Sequence, residues 1–254
     1  MEIVRSLDAH EPSRDIVLTI GFFDGIHRGH QHLLNGIVQR ARETDRLSAV
    51  LTFHPHPEAV VHPKEQPQYL SSPPERARII GDLGVDILYL VPFGQELAET
   101  SARDLLTILH DRLQMRELWV GRDFAMGRNR EGDISTLRNL STQIGYRLRI
   151  VKPFCEGGEP ISSTRIRGLL SKGHVEDAAR LLGRPYKIPG RVVQGAQRGR
   201  DLGFRTANLQ VDAQRALPKR GVYAAWANLT DTRRKSVVNV GTRPTFDEHD
   251  LRIE

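Results

Sequence analysis

The sequence predicts an α/β fold, Rossmann-like, in which helices wind an open and mostly parallel sheet, followed by a smaller all-β domain. Three observations carry this. Over roughly the first 150 residues, apolar runs of strand length alternate with stretches of helical spacing, the pattern of parallel strands joined by helices. Beyond Gly183-Arg184-Pro185 the hydrophobic period changes to two, as in half-buried strands. Between the first strand and the first helix stands Gly21 to His30, GFFDGIHRGH, whose residue types suit chemistry better than simple connection.

Taken in order, Ile16-Val17-Leu18-Thr19-Ile20 reads as a buried strand, and Gln31 to Val38 has helical apolar spacing. The decapeptide therefore turns the chain from strand to helix. Leu47 to Phe53 is a second buried strand, after which His54-Pro55-His56-Pro57 imposes a loop, because proline removes a donor and disfavours helix before it. Ser71-Ser72-Pro73-Pro74-Glu75 caps a helix to about Leu83. A third strand spans Asp86 to Val91, and Ser101 to Leu113 is amphipathic, with Leu105, Leu106, Leu109 and Leu113 on one face. Glu117 to Gly121 is a fourth strand ending in GRDFAMGRNREG; Ile134 to Tyr146 is helical and Arg147 to Val151 is a fifth strand. Ligands in such sheets bind beyond the strands' carboxyl ends. The first, second and fourth strands run there into GFFDGIHRGH, HPHP and GRDFAMG.

Next, ISSTRIR (Ile161 to Arg167) leads into a helix from Ile166 to about Leu170, and Val175 to Leu182 forms another. Gly183-Arg184-Pro185 stops it, which sets the expected domains at 1–182 and 183–254. Short strands are expected at Ile188 to Val193, Gly221 to Leu229, Ser236 to Val240 and Leu251 to Glu254.

The 254 residues, 39% hydrophobic and 27% charged, describe a globular chain with a sizeable core. No apolar stretch approaches the roughly 20 residues that span a bilayer, and the first residues lack the apolar region of a signal peptide. The single cysteine, Cys155, allows no intrachain disulfide and suits a reducing compartment. The expectation is a cytoplasmic protein without a membrane partner. The net charge is +6, from 37 Lys and Arg against 31 Asp and Glu. The densest arginines stand beside glycines, not interleaved with aromatic side chains as a nucleic-acid stacking surface needs. Phosphorylated small molecules explain the surplus at least as well, and no nucleic-acid partner is expected.

His27 and His30 are three apart, so both fall on one face of a first helical turn. Gly29 between them lets a ligand lie against the backbone, and free N–H groups at a helix start attract an anion. A phosphate chain is the natural occupant. The pair could instead be structural, or half of a zinc site, although one cysteine and no HExxH argue against zinc. The full string resembles the HxGH signature of the nucleotidyltransferase superfamily, whose members act at the α-phosphorus of a nucleoside triphosphate. In ISSTRIR, the hydroxyls with Arg165 and Arg167 suit a phosphate clamp, or else an ordinary capped surface helix.

Together with TFHPHP, GRDFAMG, LLGRPY, GRVVQGAQRGRDLGFRTANL, GVYAAW and NVGTRPTF, these stretches resemble the prokaryotic bifunctional riboflavin kinase/FMN adenylyltransferase (FAD synthetase) family over nearly the whole chain. The resemblance implies an N-terminal domain that transfers AMP from ATP to FMN. It implies that His27 and His30 stabilise the transition state, with Mg²⁺ offsetting the triphosphate charge. Gly21, Phe22, Asp24 and Gly29 would belong to the nucleotide loop, although Asp24 could instead close its own turn. Ser162, Ser163, Thr164 and Arg167 would hold the outer phosphates, and His56 and Asp123 would line the flavin side. The second domain would be a Greek-key barrel that phosphorylates riboflavin. Gly195 to Gly203 would be its phosphate loop, Thr206 and Asn208 its Mg²⁺ ligands, and Glu254 its general base.

Two departures stand out. Arg205 replaces the proline of the family's GFPTANL, and the chain ends at Glu254 within an expected strand. The expectation is therefore a partial barrel with poor riboflavin phosphorylation. Other readings are a different HxGH nucleotidyltransferase or a non-catalytic flavin-binding remnant. A class I aminoacyl-tRNA synthetase would need a KMSKS-like loop, which the chain lacks.

Overall fold

The computed structural model describes residues 1–8, 10–61, 68–194, 206–241 and 252–254. They form two compact units, Met1–Ser163 and Thr164–Glu254. The expected phosphate-loop residues Gly195 and Gly203, and the departure at Arg205, lie outside the described residues.

The first unit is built on six parallel strands: β1 (Glu2–Val4), β2 (Ile16–Ile20), β3 (Leu47–His54), β4 (Ile87–Pro92), β5 (Met115–Gly121) and β6 (Arg147–Val151). Their order in the sheet is β1-β4-β3-β2-β5-β6. The helices are α1 (Arg28–Glu43), α2 (Pro57–Val61), α3 (Pro73–Asp82), α4 (Gln95–Glu99), α5 (Ala102–Asp111) and α6 (Ile134–Ile144). Alternation along the strands feeds two cores. Ile16, Leu18 and Ile20 join a cluster with Leu105, Leu106, Leu109, Leu137 and Leu140 of α5 and α6. Val17 joins the other, with Leu34, Ile37 and Val38 of α1 and Ala77 and Ile80 of α3. A sheet covered on both faces explains why β2 is apolar or fully buried at every position.

Strand order reverses between β2 and β5. The chain leaves β2 toward β3 and β4, then crosses back to β5 and β6. The carboxyl ends of strands at such a reversal splay the following loops apart and leave a crevice there.

Several boundaries differ from the sequence reading, each for a local reason. Edge strand β1 was not expected, because three residues carry no readable period. Prolines in HPHP do not exclude a helix: Pro57 begins α2, since a first helical position needs no N–H. Helix α3 starts after an N-cap at Ser72, whose side chain and Glu75 form a reciprocal capping box.

The second unit holds most of α7 (Ser163–Lys172), α8 (Val175–Leu182) and five strands, β9 (Arg191–Val193), β10 (Asn208–Gln210), β11 (Gly221–Asn228), β12 (Arg233–Gly241) and β13 (Arg252–Ile253). A two-stranded hairpin, β7 (Cys155–Glu156) with β8 (Glu159–Pro160), precedes it. Helix α7 begins three residues before the expected Ile166. Helix α8 ends at Gly183, which is left-handed at φ 71°. The five strands form one antiparallel sheet, β11-β12-β13-β10-β9, and β11 alternates strictly between half-buried and exposed positions. Among the described residues no helix is long and apolar enough to cross a membrane.

One charged group sits inside the first unit. Glu117 on β5 is 2% exposed and accepts from Arg40 at 2.7 and 2.9 Å, Arg46 at 3.0 Å and the Trp119 indole at 3.1 Å. Burial pushes its pKa up, but the hydrogen bonds from Arg40 and Trp119 and the two guanidinium charges outweigh it, so the net shift is downward. A depressed carboxylate stabilises the fold above its unfolded pKa of about 4.3 and loses that contribution as pH falls through the folded value. Glu117→Gln should cost about 1–3 kcal/mol at neutral pH, since both arginines lose a charged acceptor. Denaturant titration should show the difference from wild type shrinking below roughly pH 4. A difference that does not change with pH would contradict the ion-pair account.

Candidate functional site

The site grows from the end of β2. After Gly21, whose N–H donates to Leu51 C=O at 3.0 Å, the chain must reach α1 within a few buried residues. It does so through left-handed backbone at Phe23 (φ 54°), Gly25 (φ 75°) and Ile26 (φ 39°). Left-handed conformation costs a residue with a side chain roughly 1–2 kcal/mol, so outside bonds must hold the turn. Asp24 supplies most of them. Its carboxylate, 3% exposed, accepts from the N–H groups of Leu70 (2.9 Å) and Ser71 (3.0 Å) and from the Ser71 hydroxyl (3.1 Å). The Ser71 Oγ in turn accepts from Gly25 N–H at 2.8 Å. Asp24 C=O accepts from the Ser163 hydroxyl at 2.9 Å, and Ile26 C=O accepts from the Gln31 amide at 2.8 Å.

The Asp24 carboxylate, expected in the nucleotide loop, is thus occupied by buried hydrogen bonds, and they hold the turn by reaching a segment more than forty residues away. Ser163, expected as a phosphate ligand, has its hydroxyl on the Asp24 carbonyl.

His27 is the N-cap of α1, and its Nδ1 accepts the His30 N–H at 3.2 Å. With Nδ1 an acceptor, the ring's proton sits on Nε2, which makes that nitrogen the donor of the ring. The two imidazoles stack at 3.6 Å between centroids and 19° between planes, and Phe23 meets His30 edge-on at 5.1 Å. Burial, and secondarily the His27 ring, hold the His30 pKa well below its ordinary value. Its Nδ1 is buried without a hydrogen-bond partner among the described residues. Gly29 permits this stack: a Cβ there would stand 3.1 Å from both Nδ1 and Cε1 of His27 and 3.5 Å from Ile161 C=O. A Cβ on Gly21 would similarly meet the Phe23 ring at 3.1 Å.

The carboxyl end of β3 adds an aromatic group beside this turn. The Phe22 ring meets His56 edge-on at 4.0 Å and Tyr69 at 5.7 Å. On its other contact it carries the Arg76 guanidinium at 4.2 Å. Asp123, past the end of β5, is 91% exposed and paired only loosely with Arg122 at 3.6 Å. At the start of α7, Ser162 is half-buried, Thr164 exposed and Arg167 half-buried. Sequence reasoning brings His27, His30, Gly29, Phe22 and His56 to one sheet edge, and it misses Ser71, Tyr69 and Arg76. Only the capping box around Ser72 was readable; Arg76, one residue further on, reads as a solvated helix charge.

In the second unit, Thr206 is exposed and Asn208 opens β10. Leu209 pairs with Ile253 in antiparallel register. One step along that register sets Asn208 opposite Glu254, whose backbone also exchanges two hydrogen bonds with Asn239 at 2.8 and 3.0 Å. Residues opposite one another share a face. Thr206, two positions back, has the spacing that returns a side chain to that face. Hydroxyl, amide and carboxylate oxygens are the hard donors that Mg²⁺ takes, so this donor set fits that ion. Among the described residues no cluster of three His, Cys, Asp or Glu is placed to hold a metal ion.

Comparison with known proteins bears on both units. Residues 9–165 match the family model of FAD synthetase, and residues 182–254 match that of riboflavin kinase. The bifunctional riboflavin kinase/FMN adenylyltransferase of Escherichia coli (strain K12) is 36% identical over 249 residues, covering 96% of this chain and 79% of that protein. The protein of the same name from Bacillus subtilis (strain 168) is also 36% identical, over 91% of this chain and 73% of its own. Among solved structures, a macrolide-efflux protein from Streptococcus pneumoniae superposes with a TM-score of 0.88 at 30% identity, over 99% of this chain and 82% of that one.

The lowered pKa of His30 has a measurable consequence. A depressed imidazole contributes fully above the unfolded pKa of roughly 6.5, and the contribution is lost as pH falls toward the folded value. By NMR, the His30 ring should still be neutral where a free imidazole is half protonated. A His30 that titrates at the ordinary value would mean that water reaches the stack.

Proposed function

The chain belongs to the bifunctional riboflavin kinase/FMN adenylyltransferase family, and on that premise we propose how its own residues divide the two reactions. In the first unit, a phosphate oxygen of FMN attacks the α-phosphorus of ATP. The bond to the bridging oxygen of the β-phosphate breaks, and FAD and pyrophosphate leave. No covalent enzyme intermediate is needed, only alignment and neutralisation of developing charge. The stacked imidazoles of His27 and His30 at the start of α1, on the edge where strand order reverses, are the observation that carries this reading.

His27 offers its Nε2–H to the α-phosphate, and the free N–H groups at the start of α1 add their dipole. Gly21 and Gly29 keep the backbone approachable. Ser162, Thr164 and Arg167 take the β- and γ-phosphates, the guanidinium by its two-pronged geometry. Phe22 stays in the nucleotide loop with its ring against His56, and His56 packs against the flavin side, with Asp123 at the rim. Mg²⁺ bound with the triphosphate supplies further charge neutralisation, as is usual for this ion with nucleotides.

In the second unit, Glu254 takes the proton of the ribityl hydroxyl of riboflavin, which attacks the γ-phosphorus of ATP and leaves ADP and FMN. Thr206 and Asn208 would hold the Mg²⁺ of that reaction, and Gly195 and Gly203 would flank its phosphate loop. The functional boundary lies near Leu182–Gly183, which the start of the riboflavin kinase match at residue 182 supports. ATP, riboflavin and FMN are the partners, and the cytoplasm is the compartment.

The test is chromatography of flavins after incubation with ATP and Mg²⁺. His27→Ala and His30→Ala should each lower FAD formation from FMN by roughly 10²–10³, the usual loss of a transition-state donor, while riboflavin phosphorylation is unchanged. Arg167→Ala should raise the ATP KM more than it lowers kcat. Histidine variants with wild-type FAD formation would remove the pair from the mechanism.

A further inference from the structure

Arg76 is the largest fully buried side chain among the described residues, 1% exposed, and no step described above uses it. It sits in the first turns of α3, and every bond from its guanidinium leaves that helix for the carboxyl ends of two strands. Nη1 donates to Phe22 C=O at 2.6 Å and to Thr52 Oγ1 at 3.2 Å. Nη2 donates to Phe53 C=O at 3.2 Å, and the guanidinium lies over the Phe22 ring at 4.2 Å. Thr52 Oγ1 itself donates to Phe22 C=O at 3.0 Å. Nε–H is buried and has no partner among the described residues.

We infer that Arg76 is a positioning residue for adenylyl transfer, fixing where the β2–α1 turn begins and so where His27 and His30 stand. The inference rests on the adenylyltransferase reading of the first unit. Stability alone is a poor reason for this residue. A buried cation with one donor unpaired is commonly no better than an apolar side chain of the same volume. What an apolar side chain cannot supply is direction. The planar fork holds the Phe22 carbonyl and the Phe53 carbonyl at once, which locks adjacent strand ends together.

Burial lowers the Arg76 pKa to about 10, with the nearby Asp24 and Tyr69 charges opposing that shift, so the group stays charged at neutral pH. The turn is thereby gripped from α3 at two points. Arg76 holds Phe22, and the Leu70 and Ser71 amides just before the helix hold Asp24. Phe23, the first left-handed residue, lies between them. The same Phe22 ring touches His56, so one side chain of α3 sets both the phosphate side and the aromatic side of the site. A displacement of about 1 Å at a reacting centre can cost on the order of 10² in rate.

Two variants test this in the whole chain, Arg76→Lys and Thr52→Val, assayed for both reactions and for thermal unfolding. Lysine keeps the charge but cannot fork; valine keeps the shape and removes the hydroxyl beneath the fork. Arg76→Lys should lower kcat for FAD formation by about 10–100-fold with the ATP and FMN KM values changed less than roughly threefold. Thr52→Val should show a smaller loss of the same kind, and the double variant should fall short of the product of the two. Riboflavin phosphorylation by each preparation should equal wild type. Normal kcat well below a lowered Tm, in either variant, would make Arg76 a stability residue and overturn the inference. If Arg76→Lys does not fold, Thr52→Val decides alone. A wild-type chain that makes no FAD would overturn the adenylyltransferase reading, and the inference with it.

Discussion

The turn from β2 into α1 must pass through left-handed backbone at Phe23, Gly25 and Ile26 while staying out of water, and the rest of the site depends on how that is made tolerable. Two of these residues carry side chains, so the backbone is strained there. The strain is offset by the Asp24 carboxylate, which draws in Leu70 and Ser71 from a distant segment, and by the Asp24 carbonyl, which receives Ser163. A carboxylate beside an anion-binding turn would ordinarily repel its ligand. Here its charge is turned inward, spent on backbone and hydroxyl donors, with the buried Arg76 cation nearby. The outward face of the turn is left with the two imidazoles and helix N–H groups.

The sheet decides where such a turn is useful. Because β2 and β5 flank the point of reversal, the loops after them diverge, and the loop after β3 adds its aromatic residues alongside. Helices on both faces bury most positions of the four central strands, so their ends are rigid references against which the loops are set. Catalysis by alignment needs this, since it has no covalent intermediate to tolerate looser geometry.

Much of this was legible in the sequence because the signals are local. The run Ile16 to Ile20 is a strand by composition alone, the Ser72–Glu75 pair announces α3, and HxGH places two imidazoles one turn apart. The unreadable part is the long-range wiring. Nothing in the string links Asp24 to Leu70, or Arg76 to Phe22 and Phe53, across dozens of residues. A hydroxyl at a helix start, such as that of Ser163, is ambiguous from sequence, and its bond to the Asp24 carbonyl exists only once the chain has folded. Three-residue strands such as β1 and β10 carry too few positions to show a period, and only pairing defines them.

Following the phosphorus atoms of ATP addresses the central claim most directly. The chain is incubated with FMN and ATP labelled at the α-phosphate, then with riboflavin and ATP labelled at the γ-phosphate. The account predicts α-label in FAD from the first incubation, and that any label a flavin gains in the second is the γ-phosphate, entering as FMN. Its central claim is attack at the α-phosphorus beside His27 and His30, so FMN and α-labelled ATP that yield no labelled flavin would contradict it.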